Sequence, residues 1–312
     1  MTWRLTEDLE EYADAVLQLL GADPVRHTIS LTVVENLRSG PARADSTASL
    51  PGEEGRESPD EGRTAAPDSD PAPLFAYWCK ADGTVTGAAS HTPPYELLLA
   101  EMPAGSLGAL ADALLGAGRA IAGVNGRRSL AEDFATGWQA RSGQRATLFR
   151  LERLYRLAAL AVPHPSPPGR PRVAANADSQ LLEAWLRRFH DETRTRAVHP
   201  GRAVADRLSY GGLTVWERPD GTPVSLAGRT RPAGGVVRIG PVFTPVEQRG
   251  RGYGGAVTAE VSRIAIASNA DAVAVVLFTD LGNATTNRLY QRLGYRPVED
   301  RSVIRFHSAG DA

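Results

Sequence analysis

The chain has 312 residues, a formal net charge of -1 and one cysteine. That length is generous for one domain and comfortable for two, and a near-neutral chain lacks the basic surface that general nucleic-acid or anionic-membrane binding needs. Cys79, standing alone, excludes an internal disulfide and a cysteine-based metal site.

The first 21 residues carry acids and no basic apolar leader, and no run reaches about 18 apolar residues, so a soluble cytoplasmic protein without a membrane partner is expected. Leu5, Leu9, Tyr12, Val16 and Leu20 trace one helical face, and Pro24 to Arg38 reads as a second helix with proline in its first turn. Ser39 to Pro73 is rich in Pro, Gly, Ser, Ala and acids, with Leu50 its only large aliphatic. Such a segment cannot bury enough surface to offset its chain entropy, which predicts a disordered acidic insertion. Leu74 to Lys80 and Thr84 to Ser90 read as a hairpin through Asp82-Gly83, with Cys79 as a buried thiol beside Tyr77 and Trp78. Beyond the hairpin, the pattern predicts a strand over Tyr95 to Ala100, a helix over Ser106 to Gly118, a strand over Ala120 to Val124, a helix over Ser129 to Ser142 and a strand over Ala146 to Tyr155.

Val162-Pro163-His164-Pro165-Ser166-Pro167-Pro168-Gly169 reads as a stiff extended linker and sets the domain boundary, with domains at 1–160 and 171–312. After it come a short strand, Arg172 to Ala175, and a helix capped by Asp178 and running to about Thr193 with Leu182, Trp185 and Leu186 inward. A short helix, Gly201 to Ser209, and strands Leu213 to Glu217, Pro223 to Thr230 and Val236 to Thr244 complete the approach to the glycine loop. The second half thus repeats the element order of the first.

The most informative stretch is Arg249-Gly250-Arg251-Gly252-Tyr253-Gly254-Gly255, between a strand pattern and a helix whose inner face is Val257, Val261, Ile264 and Ala265. Glycines let the backbone curl so that successive N-H groups face one point, and the helix N-terminus adds its own unpaired donors, which makes an anion cradle. Arg249 and Arg251 add charge suited to a pyrophosphate. Gly250-x-Gly252-x-x-Gly255 fits a dinucleotide fingerprint and Arg249-x-x-Gly252-x-Gly254 fits a coenzyme A signature; a plain Gly-rich turn is the third reading. A dinucleotide fold runs its strand straight into the first glycine and needs more chain than the roughly 60 residues that remain, which favours coenzyme A.

A second motif stands C-terminal to the loop and its helix, in Thr279-Asp280-Leu281-Gly282-Asn283 through Leu289-Tyr290-Gln291-Arg292-Leu293-Gly294-Tyr295. With the glycine loop it resembles the GCN5-related N-acetyltransferases (GNAT) over roughly Arg172 to Phe306. The layout is similar to tandem members with a degenerate first copy. Ala100 to Gly108, where the first cradle would stand, has no arginine and no glycine triplet, and it carries Glu101. The resemblance implies an α/β fold with mixed, α+β-like sheets: two acyl-CoA N-acyltransferase-like domains, the C-terminal one with a splayed strand pair and a pyrophosphate loop.

The resemblance also implies direct transfer from acetyl-CoA to an amine, without a metal; the histidines show no ligand spacing. N-H groups of Val242, Phe243 and Thr244, between Pro241 and Pro245, would hold the pantetheine arm and support an oxyanion, with Gly250, Gly252, Tyr253, Gly254 and Gly255 and the two arginines on the pyrophosphate. Tyr290 is the candidate general acid, with a core tyrosine as its competing reading. Asn283 is either a pantetheine contact or a helix cap. No base stands out: Glu217 reads as a solvated hairpin residue, and Glu247, His190, Asp191 and Glu192 border the region. The acceptor, a small-molecule or peptide amine, would be set by loops at Arg194 to Arg207 and Arg229 to Gly235. The alternative is a non-catalytic acetyl-CoA-binding regulator.

Overall fold

The computed structural model describes residues 1–39, 71–195, 199–268 and 274–308. The insertion expected to be disordered lies, from 40 to 70, outside the described residues. The first half runs β1 (Thr2–Thr6), α1 (Leu9–Gly21), α2 (Thr28–Ser39), β2 (Leu74–Cys79), β3 (Val85–His91), β4 (Leu97–Leu99), α3 (Ser106–Gly116), β5 (Gly123–Arg127), α4 (Arg128–Ser142) and β6 (Arg145–Leu157). The same order recurs as β7 (Arg170–Val173), α5 (Ser179–Thr193), α6 (Pro200–Ser209), β8 (Leu213–Glu217), β9 (Pro223–Arg229), β10 (Val236–Phe243), α7 (Tyr253–Ala267), β11 (Ala274–Asp280), α8 (Ala284–Arg292) and β12 (Tyr295–His307).

Among the described residues all the strands join one 12-stranded mixed sheet, in the order β1-β2-β3-β4-β5-β12-β6-β11-β10-β9-β8-β7. Near its centre the halves exchange their last strands. β12 pairs antiparallel with β5 (Arg301↔Arg127), and β6 pairs antiparallel with β11 (Leu277↔Tyr155). The exchanged strands also pair with each other, from Tyr295↔Leu157 to His307↔Arg145.

Side chains alternate across the sheet and divide the core between its faces. On one face α3 and α4 cover Leu97, Leu99, Val124 and Ile304, while α7 and α8 cover Val237, Ile239, Leu277 and Tyr155. On the other, α1 and α2 cover Phe75, Tyr77 and Ala88, and α5 and α6 cover Leu213, Val215 and Leu226. Between those last two layers, Val25 packs on Leu154, Val236 and Val276, so the first half's helical corner rests on the second half's strands. Leu154 is fully buried, a burial worth about 1.5–3 kcal/mol on its own.

The elements differ from the sequence reading where a local cap or a distant partner decides. Thr2–Thr6 is an edge strand on β2, not helix, because Asp8 starts α1 by accepting from the N-H groups of Glu10 (2.8 Å) and Glu11 (3.2 Å). Pro24 lies in a separate turn, where the Asp23 side chain accepts from Arg26 N at 3.1 Å, and α2 begins only at Thr28. β5 is shifted towards Arg127 because β12 sets its extent. Asp178 does not cap α5: it stands at the N-cap position without a side-chain cap bond, accepting instead from Ala175 N (2.8 Å) and pairing with Arg172 (2.7 Å). Cys79 is half-buried rather than buried. The Pro-rich linker is no free spacer. Ala158 and Ala161 donate to the carbonyls of Gly294 and Leu293, and Trp216 Nε1 donates to the Pro168 carbonyl at 3.1 Å.

Six phenols are buried in this core: Tyr12, Tyr77, Tyr155, Tyr253, Tyr290 and Tyr295. Burial raises the pKa of Tyr12, Tyr290 and Tyr295, Tyr290 up to about 12. In the unfolded chain tyrosine ionises near 10, so the folded state binds these protons more tightly. That contribution is complete below about pH 10 and is lost as pH rises from there through about 12. Urea unfolding midpoints should therefore be lower at pH 11 than at pH 9; equal midpoints would remove the buried phenols from the stability argument.

Candidate functional site: an anion cradle at an open strand pair

β10 and β11 run parallel and paired from Val236↔Ala274 to Ile239↔Leu277, and there the pairing ends. Gly240 takes φ 149, which only glycine adopts without strain, and the β9 ladder shifts register between Ile239 and Val242. Val242 and Phe243 remain on β9, opposite Ala227 and Leu226. Their other edge opens into the gap left by β11. Successive strand N-H groups point to opposite edges, so that gap takes donors from alternate residues of Val242, Phe243 and Thr244. Ser225 Oγ, 2.8 Å from Thr244 Oγ1 and donating to the Phe243 carbonyl at 3.1 Å, fixes the far side of the trio.

The glycine loop stands at the end of this gap. Gly250 (φ 76) and Gly252 (φ 85) are left-handed, and Gly252 is the N-cap of α7. Its lack of a side chain leaves the cap without a competing acceptor. The first internal bond is Ala256 N to the Gly252 carbonyl, so the N-H groups of Tyr253, Gly254 and Gly255 remain free, as at any uncapped helix start. A Cβ at Gly254 would stand 3.1 Å from Thr244 Oγ1, and one at Gly255 3.0 Å from Leu289 Cδ1. The linker borders the same loop: a Cβ at Gly252 would be 3.8 Å from Pro167 Cβ. Arg249 Nε donates to the Thr244 carbonyl at 2.8 Å and its guanidinium pairs with Glu192, while Arg251 is exposed beside Gln248. The donors, the left-handed turn and the arginines suit a pyrophosphate.

Tyr290 is buried on α8, edge-on to Tyr295 at 6.1 Å. Its hydroxyl has no hydrogen-bond partner among the described residues, while the Tyr295 hydroxyl lies 2.7 Å from Ser262 Oγ. Asn283 does cap α8, accepting from Thr286 N at 3.1 Å. A residue missed in the sequence is Tyr155 on β6, whose hydroxyl accepts from Gln291 (3.3 Å) and lies 2.9 Å from Asn287 Oδ1, tying the donated strand to α8. Nothing local signals it, since β6 reaches α8 only through the strand exchange.

Glu217 is not a solvated hairpin residue. It is buried between Arg170 (2.9 Å) and Arg172 (2.6 Å), whose hydrogen bonds hold its carboxyl below the usual range. Glu247 is exposed beside Arg188, Glu192 is committed to Arg249, and His190 Nδ1 lies 2.7 Å from Thr195 Oγ1, its pKa lowered by burial and by Arg207.

In the first half the corresponding turn keeps the backbone and loses the chemistry. Gly105 caps α3 in the same left-handed conformation (φ 78), but Ser106 N and Oγ both donate to the Pro103 carbonyl. Glu101 faces Arg127 (3.5 Å) and His27 (3.7 Å), placing a carboxylate beside the region a second anion would need. No helix among the described residues is long and apolar enough to cross a membrane.

A mixed sheet with a splayed parallel pair and a glycine loop opening α7 is the acyl-CoA N-acyltransferase fold of the GNAT proteins. Residues 222–304 match the family described as FR47-like protein. A Drosophila protein superposes with a TM-score of 0.65 at 13% identity, covering 98% of this chain and 98% of its own. A tandem GNAT protein from the clavulanic acid biosynthesis pathway gives 0.54 at 12% identity, covering 99% of each chain. A GCN5-related N-acetyltransferase from Sphaerobacter thermophilus gives 0.55 at 17%, covering 75% of this chain and 79% of its own. At these identities the likeness is one of fold. No curated protein matches the chain in sequence.

Proposed function

We propose that the protein is an acetyl-CoA-dependent N-acetyltransferase built as a tandem, with the donor held by the second half alone. The observation that carries this is the contrast between the two turns: free donors, left-handed glycines and arginines at α7, against a self-bonded serine and a carboxylate at α3. Acetyl-CoA supplies an activated acetyl group as a thioester. Gly250 to Gly255, with Arg249 and Arg251, hold its pyrophosphate, Arg249 leaving Glu192 to do so. Alternate donors of Val242, Phe243 and Thr244 align the pantetheine and polarise the carbonyl. The acceptor nitrogen adds to the carbonyl carbon and loses its proton to water; the tetrahedral oxyanion then collapses, breaking the carbon-sulfur bond as Tyr290 gives its phenolic proton to the departing sulfur, and water returns a proton to Tyr290. The acceptor is a small-molecule or peptide amine, and the first half shapes its site.

Acetyl-CoA at about 100 times its dissociation constant should stabilise the protein by about 2.7 kcal/mol in a thermal unfolding assay, and NAD should not. Free coenzyme A should then be released over time with amine acceptors. Stabilisation by NAD instead would return the loop to the dinucleotide reading. Saturable acetyl-CoA binding without turnover across a broad amine panel would make the protein a cofactor-sensing regulator.

A further inference from the structure

Beside the splay, on the face away from α7, positive charge gathers without a directly paired carboxylate among the described residues. Arg238 sits on β10 opposite Val276, two residues before the strands part. Its neighbours Val237 and Ile239 join the α7 layer, while Val236 packs on the other face with Val25 of the first half. The Arg238 guanidinium reaches only the Thr28 carbonyl, at 3.4 Å, and no carboxylate lies within 4.0 Å of it among the described residues. Burial lowers its pKa to about 10; Arg207 and Arg301 push in the same direction, while Glu152 and Tyr210 oppose them.

Two more arginines share the neighbourhood. Arg207 on α6 donates from Nη1 to its own helix at Ala203 (3.2 Å), and its Nε is buried with no partner. Arg229, at the end of β9, likewise has a buried, unpartnered Nε, and its guanidinium lies 5.9 Å from the Tyr210 ring centre. Arg231 covers the same ring at 4.0 Å. The nearby carboxylates are already engaged: Asp206 by Arg231 at 2.8 Å, and Glu152 by Arg150 at 2.7 Å. Half-buried like charges repel and lose part of their hydration, so an ion-pair network built for stability would have supplied them with carboxylates. Unmet guanidinium donors held beside a reacting centre match the geometry of an incoming oxyanion.

We propose that Arg207, Arg229 and Arg238 form the acceptor-recognition site, and that the amine acetylated here carries an oxyanion, a carboxylate or a phosphate. This rests on the transferase reading above. The first half takes part through the Thr28 carbonyl, which steadies Arg238, and through Tyr95, close enough to Arg207 for the arginine's charge to act on its phenol.

The test uses matched acceptors: an amino acid against its amide, and ethanolamine phosphate against ethanolamine, read by coenzyme A release. For the full chain, the oxyanion-bearing member of at least one pair should have a kcat/KM higher by about tenfold or more, and that pair identifies the group. Arg238→Gln and Arg207→Gln should bring the ratio to within about twofold, with acetyl-CoA affinity unchanged. Neutral acceptors used as well as charged ones, or a preference that survives both substitutions, would overturn the proposal. A calorimetric titration with inorganic phosphate and with acetate, acetyl-CoA present, separates this idea from the transferase reading. Anion binding lost in Arg238→Gln would support recognition by the arginine group even if no amine were acetylated, and absence of anion binding together with absence of acceptor preference would end it. Misfolding does not confuse the outcome, because removing one of several mutually repelling charges should leave the melting temperature unchanged or raised.

Discussion

Gly252→Val is expected to weaken acetyl-CoA binding by about 100-fold or more, measured by calorimetry, while the protein still folds. Gly252 stands at φ 85 as the N-cap of α7. A β-branched residue there is a conformational outlier costing about 1–3 kcal/mol, so the turn would relax to a negative φ and swing its N-H groups away from a common point. Each 1.4 kcal/mol of lost binding is about tenfold, and losing two or three charge-assisted donors exceeds twice that. Gly254→Val acts differently: its side chain would begin 3.1 Å from Thr244 Oγ1, pressing on the trio that faces the splay. Gly221→Ala is the control. Gly221 also has a positive φ, 84, but in the β8–β9 turn, so it should cost stability and leave donor affinity alone. Wild-type affinity in a folded Gly252→Val protein would remove the cradle from the function.

Tyr290→Phe should reduce turnover by about 100-fold or more, the usual range for a lost general acid, with acetyl-CoA affinity within about twofold of wild type. The structure makes this substitution clean. The hydroxyl has no partner among the described residues, so its removal breaks no hydrogen bond in the core, and the ring still packs on Tyr295. Thermal stability should barely change, which separates loss of chemistry from loss of fold. The pKa of about 12 sets the sign of a second measurement. The phenol remains protonated across the neutral range, so ionisation of Tyr290 should not depress wild-type turnover until pH climbs towards 12. Full turnover from Tyr290→Phe would leave Tyr290 as a packing residue only.

The features legible in the sequence are local ones. The glycine loop, the helix that follows it, the hairpin through Asp82-Gly83 and the apolar face of α5 each depend on residues a few positions apart, and their backbone preferences carry the answer. The strand Thr2–Thr6 reads as helix because Leu5 and Leu9 are four apart; only its pairing with β2, some 70 residues away, makes it extended. Glu217 misleads for the same reason. Its partners Arg170 and Arg172 lie on β7, and no spacing rule places that strand beside β8. Asp178 misleads locally, because Arg172 and the N-H of Ala175 take its carboxylate. Tyr155 and Arg238 give no local sign of their place at the site, because one is delivered by an exchanged strand, and the other matters through charges gathered from α6, β9 and the first half.

The strand exchange also bears on how the molecule comes into being. β5, at Gly123–Arg127, pairs with β4 on one side and finds its other neighbour only in β12, so the centre of the sheet cannot close until His307 has left the ribosome. Until then the nascent first half carries an unfilled slot flanked by Val124 and an unanchored β6. Pairings of such long sequence separation close late and slowly, and exposed strand edges invite foreign strands while they wait. The open edge of β5 is therefore where a strand from a second nascent copy would pair wrongly during synthesis.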